Sequence, residues 1–105
     1  MEALEFREEG KTLSAVLSCE VDHHTAEMLR ERMDHRLFSM RPERFVIDFS
    51  GVRFMDSSGI GLILGRLGVA EETGTRVTVT GLSPTLRKLL KLAGLEKIPE
   101  LTVNK

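Results

Sequence analysis

Three groups of residues in this 105-residue chain have the types and spacing to do chemistry. The first is Asp56-Ser57-Ser58-Gly59, two hydroxyls between a carboxylate and the apolar run from Ile60 to Leu64. Small polar residues before such a run mark a helix start. Free backbone amides and the positive end of the helix dipole converge there, so Ser57 and Ser58 stand where an oxyanion is welcome. A serine before a helix is more often an N-cap than a modification site. Its company here favours a site: Asp56 beside it, Phe54 and Met55 before it, and a glycine-rich apolar helix after it.

The second group is Asp22-His23-His24. Adjacent histidines on a helix point about 100° apart, which makes them poor joint ligands of one metal ion. They read more simply as polar residues of a first turn near the serine pair. Ser57 with either histidine and an aspartate has the residue types of a serine hydrolase, but Met55 stands where a nucleophile elbow places its first glycine. The third group, Gly59-x-Gly61-x-x-x-Gly65, is one residue too long for the dinucleotide fingerprint and lacks the lysine of a Walker motif. It supports a small nucleotide-binding module only weakly.

Elements must hold these residues in place. Alternation over Leu4-Glu5-Phe6-Arg7, a break at Gly10-Lys11 and renewed patterning from Thr12 through Leu17 predict a β-hairpin. Ala26, Leu29, Met33 and Leu37 recur at three and four, which predicts a helix from about Asp22 to Ser39, capped by Asp22 and stopped by Pro42. Phe45 to Phe49 suits a buried central strand. A second helix should run from the serine pair to Thr73-Gly74, Arg76 to Thr80 should be a strand, and Ser83-Pro84 should open a third helix closed by Gly94. The tail from Leu95 to Lys105 is weakly patterned, and Cys19 reads as a small buried strand residue. This order gives an α/β sandwich of two layers, a mixed sheet with helices on one side.

The second helix is unusual. Gly61, Gly65 and Gly68 together oppose it by roughly 3 kcal/mol relative to alanine. They fall within about 60° of one another, a flat stripe that another backbone could approach. Apolar residues cover most of the remaining circumference, and Arg66 is the one charge between Gly59 and Ala70. A two-layer domain covers one face of such a helix, so part of it should be left for a partner unless the first and third helices close over both flanks.

Composition sets bounds. Fifteen basic against sixteen acidic residues give a net charge of −1, with no basic run of the kind that neutralises nucleic-acid phosphates. One cysteine excludes an intramolecular disulfide. No apolar run approaches the roughly 18 residues of a membrane span. The expectation is a single domain over residues 1–105, soluble and cytoplasmic.

The run from Phe54 through Arg66, Phe-Met-Asp-Ser-Ser-Gly-Ile-Gly-Leu-Ile-Leu-Gly-Arg, resembles the signature of anti-sigma factor antagonists, the bacterial STAS domains. Glu20-Val21-Asp22-His23-His24-Thr25-Ala26-Glu27 further resembles their sporulation branch. The two motifs are in register across essentially the whole chain. The resemblance implies the STAS fold, an α/β arrangement with a mixed four- to five-stranded sheet and helices mainly on one face. It implies a binding protein rather than an enzyme, with no cofactor of its own. A serine kinase that is also the anti-sigma factor, SpoIIAB-like, would phosphorylate the serine after the motif aspartate, here Ser57. The unphosphorylated form would bind that kinase and free the sigma factor, and a SpoIIE-like phosphoserine phosphatase would reset it. Asp22, His23, His24, Asp56, Ser58, Gly59, Ile60, Gly61 and Leu64 are the expected partner-binding residues. Two features depart from the family pattern: Cys19 stands where many relatives have glycine, and the chain ends at Lys105 without a further C-terminal helix. A general-stress antagonist is the alternative within the family, and the Asp22–Glu27 segment favours the sporulation branch.

Overall fold

Gly10, at φ 60°, sits in the left-handed region that a tight reversal needs, and it folds residues 4–17 back on themselves. In the computed structural model, which describes residues 2–104, β1 (Leu4–Glu9) pairs antiparallel with β2 (Thr12–Leu17), Leu4 opposite Leu17 and Glu9 opposite Thr12. The remaining strands, β3 (Arg44–Asp48), β4 (Arg76–Thr80) and β5 (Leu101–Val103), add in parallel, giving the order β1-β2-β3-β4-β5. Parallel neighbours need crossovers. These are α1 (His23–Met40), α2 (Ser57–Thr73) and α3 (Pro84–Leu92), the last followed by a 3-10 turn over Leu95–Lys97.

The register explains the layering. Leu13, Phe45, Val77 and Leu101 stand abreast, as do Ala15, Ile47, Val79 and Val103, so alternate residues of four strands share one face. Nearly all of them are buried, and Leu29, Met33 and Leu37 of α1, Leu62 and Ile63 of α2 and Leu86 and Leu90 of α3 complete that core. The expected mixed sheet with one helical layer is the observed fold.

Two expectations change. β5 lies in the tail that carries no clear pattern, because three residues, one of them an exposed threonine, are too few to show alternation; Lys105 lies outside the described residues. Cys19 is in the loop after β2 and half-buried, because β2 ends at Leu17. The orientation of α2 is a further finding. Its glycine stripe faces outward and its one central charge faces inward: Gly61, Gly65 and Gly68 are exposed, and Arg66 is 3% exposed. α1 packs along one flank of α2, whereas α3 leans on the 3-10 turn and leaves the other flank largely open.

Candidate functional site

Parallel strands place the loops leaving β2 and β3 at one end of the sheet, and a single rung of parallel pairing, Val21 with Met55, joins them. The Val21 amide donates to the Phe54 carbonyl at 3.0 Å, and the Asp56 amide donates to the Val21 carbonyl at 3.1 Å. Each loop then enters its helix one residue beyond the rung, through an aspartate. Two parallel helices thus begin side by side, each capped by a carboxylate.

Asp22 caps α1 as its sequence context predicts. Its Oδ1 accepts the His24 and Thr25 amides at 2.9 Å each, and the Asp22 amide donates to Thr25 Oγ1 at 3.1 Å, a reciprocal capping box. The bond from the Thr25 amide, more than any other influence, holds the Asp22 carboxyl below the usual carboxylate range. His23 and His24 are exposed in the first turn, and no group of three metal-ligating side chains occurs among the described residues.

At the start of α2, Asp56 Oδ1 accepts the Ser58 amide at 2.7 Å. The aspartate, and not a serine, is therefore the N-cap. Ser57 occupies the first helical position, exposed, and its hydroxyl makes no hydrogen bond among the described residues. Neither His23 nor His24 hydrogen-bonds to it, so the geometry of a hydrolase triad is not assembled. The glycines after it are helical rather than part of a loop, so they form no phosphate cradle.

The neighbours of Ser57 divide into those at the surface and those beneath it. Gly61 and Leu64 are exposed, Ile60 and Ser58 are half-buried, and Phe54 is 51% exposed on the approach. Gly59, expected to touch a partner, is instead buried under Met55: a Cβ at Gly59 would run into Met55 Cγ and Sδ. It shapes the surface from below. At Gly61, Gly65 and Gly68 an added Cβ would meet nothing, which makes that face of α2 open.

Between α1 and α2 lies a groove of about 500 Å³ whose walls include His23, Glu27, Arg30, Ser58, Gly61 and Arg66. Arg66 Nε is 2.8 Å from Asp34 Oδ1 on α1, but the N–H is not aimed at the oxygen, so the contact is an ion pair and not a hydrogen bond. Burial is the main influence on both groups, lowering the Arg66 pKa and raising that of Asp34. Sequence reasoning marks Arg66 as a lone charge in an apolar helix and stops there; Asp34, next to the core residue Met33 on a charged stretch of α1, gives no signal of its own.

No helix among the described residues is long and apolar enough to cross a membrane. The family described as Mlab, STAS domain, matches residues 4–102. An anti-sigma F factor antagonist of Paenibacillus polymyxa is 40% identical over 82 residues, 78% of this chain and 70% of the relative. The solved structure of the anti-sigma factor antagonist SpoIIAA in its unphosphorylated form superposes with a TM-score of 0.82 at 31% identity, covering 98% of this chain and 89% of that one. The structure of the Bacillus cell fate determinant SpoIIAA in the phosphorylated form superposes at 0.74, also at 31% identity, covering 98% and 92%. With the fold, the paired caps and the family match in agreement over nearly its whole length, this chain belongs to the STAS-domain family.

Proposed function

We propose that this protein is a phosphorylation-switched antagonist of an anti-sigma factor, acting in the cytoplasm as one domain over residues 1–105 and regulating sporulation-type transcription. Unphosphorylated, it binds an anti-sigma factor that is also a serine kinase, using the outward face of α2 and the loop entering α1, and the sigma factor is released. Ser57 accepts the phosphate and a phosphoserine phosphatase removes it. The chain performs no catalysis in this scheme, and magnesium-ATP belongs to the kinase. Asp22, His23, His24, Asp56, Ser58, Ile60, Gly61 and Leu64 frame the docking surface.

The observation that carries this reading is the exposed, unbonded Ser57 hydroxyl on the rim of the open α2 face, freed from capping by Asp56. A phosphate there adds about −1.5 to −2 charges. The helix N-terminus tolerates them, so the fold is unchanged. A partner closing over α2 must instead desolvate that charge beside Asp56, a like-charge juxtaposition that costs several kcal/mol.

The test is to incubate the protein with the anti-sigma factor kinase of its own genome and ATP and to locate phosphate by mass spectrometry. One phosphate on Ser57, with kinase binding weakened in Ser57→Asp, is the expected result. Phosphate on a different residue, or equal affinity of both forms, would overturn it. The Asp-His-His-Thr-Ala-Glu segment and the anti-sigma F relative support the sporulation branch over the general-stress one.

A further inference from the structure

Arg66 is the feature of α2 that the switch does not use. A guanidinium removed from water is stabilised when several acceptors surround it. Arg66 is 3% exposed and has one carboxylate beside it, Asp34, in poorly aligned contact; its Nε and Nη1 are closed off from solvent without a hydrogen-bond acceptor, which leaves Nη2 as the nitrogen a group in the groove reaches. Arg66 is also part of the wall of the α1–α2 groove, where Arg30 of α1 is a second guanidinium, exposed and without an ion pair among the described residues. The wall itself carries two guanidiniums and one carboxylate, Glu27, with Asp34 behind it against Arg66. Gly61 and Gly65 keep the groove wide, since neither carries a side chain to fill it.

We propose that this groove receives a carboxylate: an aspartate or glutamate side chain of the docked protein enters between α1 and α2 and pairs with Arg66 and Arg30. The inference rests on the docking reading above and names the chemistry its partner must present. Two observations favour a partner's side chain. The groove is continuous with the docking surface through His23, Ser58 and Gly61, so a bound protein passes over it. Glu27 on the wall disfavours a doubly charged phosphate more than a singly charged carboxylate.

The test measures affinity for the anti-sigma factor kinase in three variants of the full chain. Arg30→Gln alters an exposed residue with no packing role and is expected to weaken binding roughly threefold to tenfold. Arg66→Met combined with Asp34→Leu removes the buried pair as a unit, keeps the core filled, and is expected to weaken binding roughly 30-fold. Ser57→Asp reports on the docking reading itself. An alanine scan of the kinase's surface acids should then find one whose removal costs affinity for wild type and nothing further for the Arg66 variant. If Ser57→Asp weakens binding while both arginine variants bind like wild type, the groove assignment is overturned and the docking reading stands. If wild type does not bind the kinase, both are overturned. Competition by inorganic phosphate at low millimolar concentration, lost in Arg30→Gln, would assign the groove to a free anion and overturn the side-chain proposal.

Discussion

Asp56 Oδ1 holds the Ser58 amide at 2.7 Å, and Ser57 Oγ is left with nothing to hold. The two side chains should therefore separate cleanly in stability measurements. Asp56→Ala removes a cap and is expected to cost about 1 kcal/mol in urea unfolding. Ser57→Ala should stay within about 0.5 kcal/mol of wild type and, on the proposed function, abolish phosphorylation altogether. Asp22 makes a prediction in pH. Its carboxyl titrates lower in the folded chain than in the unfolded one, so its stabilising effect is present above the unfolded value of about 3.9 and is lost as pH falls through and below it. Asp22→Asn keeps a capping oxygen without the titration, so its melting temperature should fall less steeply between pH 6 and pH 3. This capping was legible in the sequence because Asp22 and Thr25 lie within one turn. The Arg66–Asp34 pair was not, because it joins two helices whose contacting faces no local pattern specifies. Which of Asp56, Ser57 and Ser58 would cap α2 was likewise undecided until backbone geometry chose the aspartate.

The same limit applies to whole elements. Alternation sufficed for β1, β2 and β4, a bounded apolar run for β3, three-four spacing for α1, and capping and closing residues for α2 and α3. The orientation of α2 was not readable: a helix apolar nearly all round has no single face that hydrophobicity alone sends inward. Packing against α1 made the choice, sending the glycines out and the arginine in. A substitution series follows. Gly61→Ala, Gly65→Ala and Gly68→Ala together add three methyls that meet nothing and should stabilise the chain by roughly 2–3 kcal/mol. They should also weaken docking of the kinase, which calorimetry would detect alongside the higher melting temperature. Gly59→Ala should do the opposite to stability, destabilising by about 1–3 kcal/mol, because its methyl drives into Met55. A sequence that keeps destabilising glycines on an exposed helix face indicates selection for something other than helix strength.

Across the molecule, one layer of helices covers one face of the sheet, and the proposed switch lies where α1 and α2 begin. Phosphorylation at so peripheral a hydroxyl should leave the remaining strands and α3 undisturbed. Amide chemical-shift changes are expected to stay within the α2 entrance, the loop at Val21 and the start of α1; shifts spread through β4, α3 and β5 would refute a purely local effect. The buried ion pair is the other molecular-scale link, tying the same two helices farther along. Asp34→Ala leaves Arg66 without its counter-charge and should destabilise by about 2–3 kcal/mol, less than a wholly enclosed pair because Asp34 keeps a 27% exposed side chain. Arg66→Met with Asp34→Leu should recover most of that loss in chemical denaturation. The rung at Val21 and Met55 has a consequence for length. Each lead-in travels one residue from that shared stitch to its cap, so both helix entrances are levelled against each other like two stair treads cut from one stringer. Inserting one residue after the stitch in either lead-in would offset the treads by about 3.3 Å, whereas an insertion at the Gly10 reversal, at the far end of β1 and β2, would leave them flush.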